Sequence, residues 1–342
     1  MADRTTLNDV AAEAGVHVST ASRALNPLTA SVVNPETVER ITDVARRLGY
    51  RPNPLARGLR TNRTMSVGMV IPDVENPLFG PIIAGAESVL VEEGYSVLIG
   101  NADRGDEHAE SVVATMLERQ VDGVILATAT RSDAVVLDLR RRAVATVLVN
   151  RRSDDQSVPA IIGDDHVGIG LAVDHLASLG HTEIGHVAGP AWVSTGLDRR
   201  TAFLSSMSRL GLVADEERIV EAEWYRTEPG YRAGLELLRR RPETTAIVAA
   251  NDLIGLGCYR AIRSLDLEVG VDVSVTGYND IPLLDLMQPA MTAVRVPYRE
   301  MGARAASTLL TAMTGDAEPA TDAVVRLAPT LVVRASTDSP RP

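Results

Sequence analysis

The residues best suited to chemistry in this sequence are polar groups that end apolar runs. TVLV stops at Asn150 and Arg151, AIVAA at Asn251 and Asp252, and VSVTGY at Asn279 and Asp280. Apolar strands that end in amides and charges point to a cleft, where amides can read hydroxyls and a guanidinium can fork onto a hydroxyl pair or a carboxylate. Arg199 and Thr195 follow the HVAGP turn, and Phe79 and Tyr225 offer ring faces for stacking. This is binding chemistry. All 34 basic residues are Arg, so a phosphate loop and a Schiff-base enzyme both lack their Lys. No GxGxxG follows a strand, and there is no nucleophile elbow or CxxC pair. His166, His175, His181 and His186 match no usual zinc spacing. The acidic pairs Asp154-Asp155 and Asp164-Asp165 are expected on solvated loops. No enzyme activity, metal or cofactor is expected.

The elements that must position these groups alternate from residue 64 onward. Strands are expected at 66–71, 95–100, 123–127, 146–150, 160–163, 183–188, 246–250, 273–278 and 293–296. Tyr225 is expected in a further strand-like segment, EAEWYR. Amphipathic helical stretches lie between them, for example 78–93 and 167–179. Continuous apolar strands separated by helices imply parallel sheets covered on both faces. About 280 residues of this pattern exceed one compact sheet, so two Rossmann-like lobes are expected. Ligands in such folds sit beyond the carboxyl ends of the strands.

The first 49 residues read differently. Thr6-Leu7-Asn8-Asp9 opens a helix as a capping box, with Asp at the third position, and Gly15 ends it. A second helix runs from about Val18 to Leu25, and the small residues Ala11, Ala14 and Ala21 let the two approach closely. Asn34-Pro35-Glu36 opens a third helix that stops at Gly49. Helix, short Gly-containing turn and second small helix make a helix-turn-helix. The charge agrees. The chain carries −11 overall, yet residues 1–62 hold eight Arg against six Asp and Glu. A mildly basic end on an acidic body presents that end to nucleic acid. The single cysteine, Cys258, forms no internal disulfide and reads as a core residue. The N-terminus lacks an apolar signal core and no run of 18 apolar residues occurs, so neither secretion nor a membrane span is expected.

The literal residues are more specific than their spacing. LNDVAAEAGVHVSTASRALN, LGYRPNPLARGLR, VGMVIPDVENPLF, VDGVIL, LGHTEIGHVAGP, AANDLIGLG and VSVTGYNDIP resemble, in order and over nearly the whole chain, the lactose/galactose-repressor family. That resemblance implies an α-helical helix-turn-helix head and an α/β body of the periplasmic-binding-protein type. The expected division is a DNA-binding domain at 1–49, a hinge at 50–62 and an effector-binding and dimerisation domain at 63–342. Within the last, one lobe takes 63–163 and 297–321 and the other 164–296 and 322–337, with chain crossings near Asp164, Val296 and Asp322. It further implies a cytoplasmic, nucleoid-associated homodimer whose partners are a pseudo-palindromic double-stranded operator and a small-molecule effector. The helix after Phe79 is expected in the dimer interface.

By the same resemblance the second helix lies in the major groove. Val18 and Ser19 then face bases, and Arg23 can fork onto a guanine edge. Thr6, Thr20, Ser22 and Asn26 contact phosphate or set register. His17 departs from the family's capping Ser, and as a poor cap it leaves this helix end reliant on DNA or packing. Asn53-Pro54 can start a two-turn hinge helix that is too short to stand alone. Leu59 occupies the place of the family's minor-groove wedge, with Asn53, Arg57 and Arg60 beside it. The implied effector pocket takes Leu78, Phe79, Asn150, Thr195, Arg199, Tyr225, Asn251 and Asn279. Many sugar-responsive members carry Asp where this chain has Asn150 and Asn279. Two lost carboxylates beside a retained Arg199 tilt the expectation towards a sugar acid or other small carboxylate over a neutral sugar. A sugar-transport protein shares the body's fold but lacks such a head.

Overall fold

The computed structural model describes residues 5–25, 29–50, 63–102, 106–314 and 324–341, and the chain divides into two units, Met1–Thr64 and Met65–Pro342. The first unit has three helices: α1 (Leu7–Glu13), α2 (Val18–Ala24) and α3 (Pro35–Arg47). The Thr6 side chain accepts from the Asp9 amide while Asp9 accepts from the Thr6 amide, closing the capping box. The α1–α2 turn passes through Gly15 at φ 64°, a conformation that costs glycine nothing. Asn34 caps α3 through the Glu36 amide and Pro35 takes its first turn. Val10, Ala11, Ala14, Ala21, Ala24, Ile41, Val44 and Ala45 form a small common core. Five of these eight are alanines, which permits the close helix approach expected from the sequence.

The second unit contains two sheets. One holds β1 (Ser66–Ile71), β2 (Ser96–Asn101), β3 (Gly123–Leu126), β4 (Thr146–Val149), β5 (Ala160–Gly163) and β11 (Val324–Leu327), all parallel, in the order β11-β5-β4-β3-β1-β2. The other holds β6 (Ile184–Ala188), β7 (Ile219–Glu221), β8 (Ala246–Ala249), β9 (Ser274–Asn279), β10 (Thr292–Arg295) and β12 (Thr330–Val332), in the order β12-β10-β9-β8-β6-β7. Its edge strand β12 is antiparallel to β10. Helices α4 (Phe79–Glu92), α5 (Asp106–Glu118), α6 (Ala134–Arg141) and α11 (Tyr298–Thr314) cover the first sheet. Helices α7 (Asp165–Ser178), α8 (Ser194–Arg209), α9 (Thr227–Arg240) and α10 (Asp252–Arg263) cover the second. Strands β3, β4, β8 and β9 are buried along their whole length, as covered parallel strands must be.

The chain crosses between the sheets at Asp164, at Val296–Pro297 and at Ala328–Pro329. The third crossing corrects the expected position near Asp322. Val324–Leu327 pairs in parallel with β5 and so completes the first lobe before the chain leaves it. Strands β7, β11 and β12 went unforeseen because three or four residues on a sheet edge show little periodicity. No helix among the described residues is long and apolar enough to cross a membrane.

Helices α4 and α11 touch backbone to backbone. A Cβ added at Gly302 would collide with the Ile82 carbonyl oxygen, whereas one added at Gly80 meets nothing within 4 Å. Gly302→Ala is therefore expected to lower the unfolding free energy by about 1–3 kcal/mol in thermal denaturation, despite the better helix propensity of Ala. Gly80→Ala should be neutral or slightly stabilising, and an equal loss in both variants would refute the close approach.

Candidate functional site

Between the sheets lies a cleft with about 1020 Å³ of empty space, its open mouth included. Nearly every parallel strand delivers residues to it from its carboxyl end. Pro72 follows β1, Ala102 β2, Thr128 β3, Asn150 and Arg151 β4, Pro190 β6, Trp224 and Tyr225 β7, and Asn251 β8, while Asn279 ends β9. A parallel sheet opens there because its crossover helices diverge at that edge. All eight cleft positions expected from the sequence, Leu78, Phe79, Asn150, Thr195, Arg199, Tyr225, Asn251 and Asn279, line this one cavity.

Local backbone sets several of them. Asn150 and Asn279 take φ of 67° and 115°, positive values that Asn tolerates better than most residues. Part of the reason for Asn at these strand ends is thus conformational. Asn279 Oδ1 accepts from the Tyr298 hydroxyl at 2.6 Å, and Asn251 Oδ1 accepts from the Ile254 amide at 2.8 Å, capping α10. Tyr225 lies in the bend after β7 and not in a strand, because β7 ends at Glu221. Its ring rests on the backbone of Gly189, where any Cβ would collide with it, and its hydroxyl meets Thr195 Oγ1 at 3.0 Å.

The charged groups depart most from expectation. Asp165 is not solvated. It opens α7 and bonds Arg199 at 2.9 Å, with side-chain exposures of only 8% and 5%. Arg199 also donates to the Ala250 carbonyl at 2.6 Å and lies 3.8 Å over the Tyr278 ring. Burial works against its charge, but the Asp165 carboxylate outweighs this and holds its pKa above the usual range. Arg199 is therefore committed to the protein and is not the free fork expected from the sequence. Beneath the cleft, burial pushes Asp252 well above the carboxylate range; its Oδ2 accepts from the Ile281 amide at 2.9 Å.

Trp192 and Trp224 were missing from the expected set, whereas Arg151 was among the strand-end residues expected at the cleft. Arg151 is 8% exposed, lines the cleft, and its Nε has no hydrogen-bond partner. Its signal was plain: it directly follows Asn150 at a strand end. Trp192 and Trp224 are the chain's only tryptophans and pack edge to face 5.3 Å apart at 40% and 44% exposure. They come from separate loops 32 positions apart, so no local pattern joins them. Ties between the lobes rim the cavity. Arg226 bonds Asp73 at 3.0 Å, Arg152 bonds Asp198 at 2.9 Å, and the Arg131 amide donates to the Trp192 carbonyl at 3.2 Å.

His175, His181 and His186 have structural partners. His175 meets Thr337 at 2.8 Å, and His181 meets Thr245 and the Asp338 carbonyl at 2.8 Å each, fastening the C-terminal segment to the second sheet. Asp154 and Asp155 are both exposed, as expected, and Asp154 bonds Arg131 at 2.8 Å.

In the helix-turn-helix unit, Ser19 and Arg23 are exposed on α2. Thr20 and Ser22 are half-buried, and Val18 packs against the core, the space-filling role left open beside a base contact. Thr6 is engaged with Asp9 through both its amide and its hydroxyl. His17 does cap α2: its Nδ1 accepts from the Ser19 amide at 3.3 Å. The ring nitrogen supplies the lone pair that Ser would, so this helix end needs no DNA to complete it. Asn26, Asn53, Arg57, Leu59 and Arg60 lie outside the described residues.

Comparison with known proteins covers both units. Residues 6–53 match the model for bacterial regulatory proteins of the lacI family, and 173–337 match a periplasmic binding protein-like domain. The chain is 35% identical to the HTH-type transcriptional regulator MalR of Streptomyces coelicolor, over 98% of its own length and 97% of that protein. It is 31% identical to the HTH-type transcriptional regulator RegA of Clostridium saccharobutylicum, over 90% and 92% of the two chains. Among solved structures, a lac repressor dimer bound to operator and the anti-inducer ONPF aligns with a TM-score of 0.86 at 28% identity, covering 98% of this chain and all of that one. A CelR–cellobiose complex aligns at 0.75 and 29%, covering 97% and 100%. With a helix-turn-helix unit, a two-lobed body and end-to-end similarity of this extent, the chain belongs to the lacI family of bacterial regulatory proteins and is a DNA-binding transcriptional regulator, not an enzyme.

Proposed function

We propose that this protein is a cytoplasmic repressor that binds a pseudo-palindromic operator as a homodimer, with an affinity set by a small molecule in the interlobe cleft. The effector class is a sugar, a sugar acid or another small carboxylate. The observation that carries this reading is the convergence of eight separately identified positions on one cavity. Phe79 and Tyr225 supply ring faces and Asn150, Asn251 and Asn279 supply amides, which suits a hydroxylated ring. A lac repressor was solved on its operator with an anti-inducer, and CelR was solved with cellobiose. Exposed Val91 on α4 and Ile99 on β2 give the first lobe an apolar outer face suited to a second copy.

In the proposed mechanism a ligand in the cleft alters the ties Arg226–Asp73 and Arg152–Asp198, and with them the angle between the lobes. That change reaches residues 50–62 of both chains and alters their fit to the operator. By linkage, an effector that weakens DNA binding must itself bind more weakly to the DNA complex.

Two measurements on the full chain test this. A thermal-shift screen of sugars, sugar acids and small carboxylates should yield a ligand that adds about 2.7 kcal/mol at 100 times its dissociation constant. DNA selected from a random pool should be two-fold symmetric, and Arg23→Ala should lose about 1–3 kcal/mol per half-site at one symmetric base pair. Asymmetric selected sites, or a ligand that leaves DNA affinity unchanged, would overturn the proposal.

A further inference from the structure

We infer that Arg151 is an anion-binding subsite, so that the natural effector carries a carboxylate which Arg151 neutralises on binding. The inference rests on the cleft being the effector site and narrows what fills it. Four observations carry it. Arg151 is more than nine-tenths buried and lines the cleft. Its Nε is without a hydrogen-bond partner, and no carboxylate among the described residues forms an ion pair with it. The other guanidiniums on the cleft wall are matched, Arg199 by Asp165 and Arg226 by Asp73. Among the charges that act on Arg151, that of Arg199 repels it.

A cation taken out of water without a counter-charge is strongly disfavoured, and burial accordingly draws the Arg151 pKa down from its ordinary value. Arg keeps its charge where Lys would lose it, so the cleft retains one uncompensated positive charge. An entering carboxylate gives that charge a partner, and its planar pair of oxygens matches the guanidinium fork. A neutral hydroxyl gives a hydrogen bond but leaves the charge unbalanced. Position favours a ring-borne carboxylate. Arg151 immediately follows the Asn150 amide and lines the same cavity as Tyr225, so a ring against Tyr225 can carry its acid group towards Arg151.

The test uses full-length protein and matched pairs: glucose with glucuronate, galactose with galacturonate, and cellobiose with cellobionate. Inorganic phosphate is added as a separate arm. Calorimetry should show at least one acid bound ten-fold or more tightly than its neutral partner. Arg151→Gln should erase that preference while leaving the neutral sugar within about threefold. Independently of any ligand, Arg151→Gln should raise the melting temperature of the free protein, because it removes an unpaired buried charge; a purely structural Arg151 would give a fall. Neutral sugars bound as well as or better than every acid would overturn the inference and leave the cleft reading intact. A preference that survives in Arg151→Gln would do the same. Phosphate binding alone, abolished in Arg151→Gln, would replace the carboxylate with a phosphate ester. Silence from all probes on folded protein would overturn both readings.

Discussion

Arg199→Ala is expected to cost about 3–5 kcal/mol of stability, the largest single effect anticipated here. The substitution leaves Asp165 with 8% side-chain exposure and no partner for its charge, and breaking a buried pair from one side carries a penalty of that size. The hydrogen bond to the Ala250 carbonyl and the cation over the Tyr278 ring go with it. For a body of this size the melting temperature should fall by roughly 10 °C. The double variant Arg199→Met with Asp165→Leu removes both charges and should lose clearly less than Arg199→Ala. If Arg199→Ala melts within a degree or two of the parent, the pair is not a structural anchor. The consequence for ligand studies is direct. Lost binding in Arg199→Ala would not by itself identify a ligand contact, because the cleft floor changes with it. Arg151 is the cleaner probe, since nothing in the protein is left unpaired when it is replaced.

Acidification from about pH 7 to about pH 5 should cost roughly 2 kcal/mol through His186 alone. The ring is fully buried, stacked 5.0 Å from Phe203, and bonds the Val248 carbonyl at 2.7 Å through Nδ1. That bond makes Nδ1 the donor, and Nε2 has no partner, so a second proton would create a buried, unsatisfied N–H. Burial lowers the pKa from 6.5 to about 4. Above 6.5 the ring is neutral in both folded and unfolded chains, and its full stability is present. Below 6.5 the unfolded chain takes up a proton that the folded chain refuses, and the loss grows until about pH 4, where it levels off. Burial also lowers His175 and His181, which adds to the loss in the same direction. Urea unfolding at the two pH values should show the drop, and His186→Leu should show a smaller one. An unchanged drop in that variant would assign the pH dependence to other groups.

Much of this protein was legible without coordinates, for reasons that are local. Capping chemistry needs only three or four neighbouring residues, so Thr6, Asn34, Gly15 and Gly49 marked the helix ends of the first unit. Central strands are buried on both faces, and that burial is written as the apolar runs of β1, β4 and β8. A cleft at their carboxyl ends follows from parallel topology, which is why Asn150, Asn251 and Asn279 could be singled out.

Tertiary structure decided the rest, and the reason throughout is distance along the chain. Asp165 and Arg199 are 34 positions apart, and only the packing of α7 against α8 turns a seemingly solvated acid into a buried partner. That pairing moved the uncompensated charge from Arg199 to Arg151, a question of electrical balance that no local pattern contains. Trp192 and Trp224 meet because two loops happen to end at the same rim. The third crossing sits at Ala328–Pro329 because Val324–Leu327 completes the first sheet beside β5, more than 160 residues earlier in the chain. Residue types and their neighbours determined the elements and where a ligand site must lie; only folding determined which charges in that site were already satisfied.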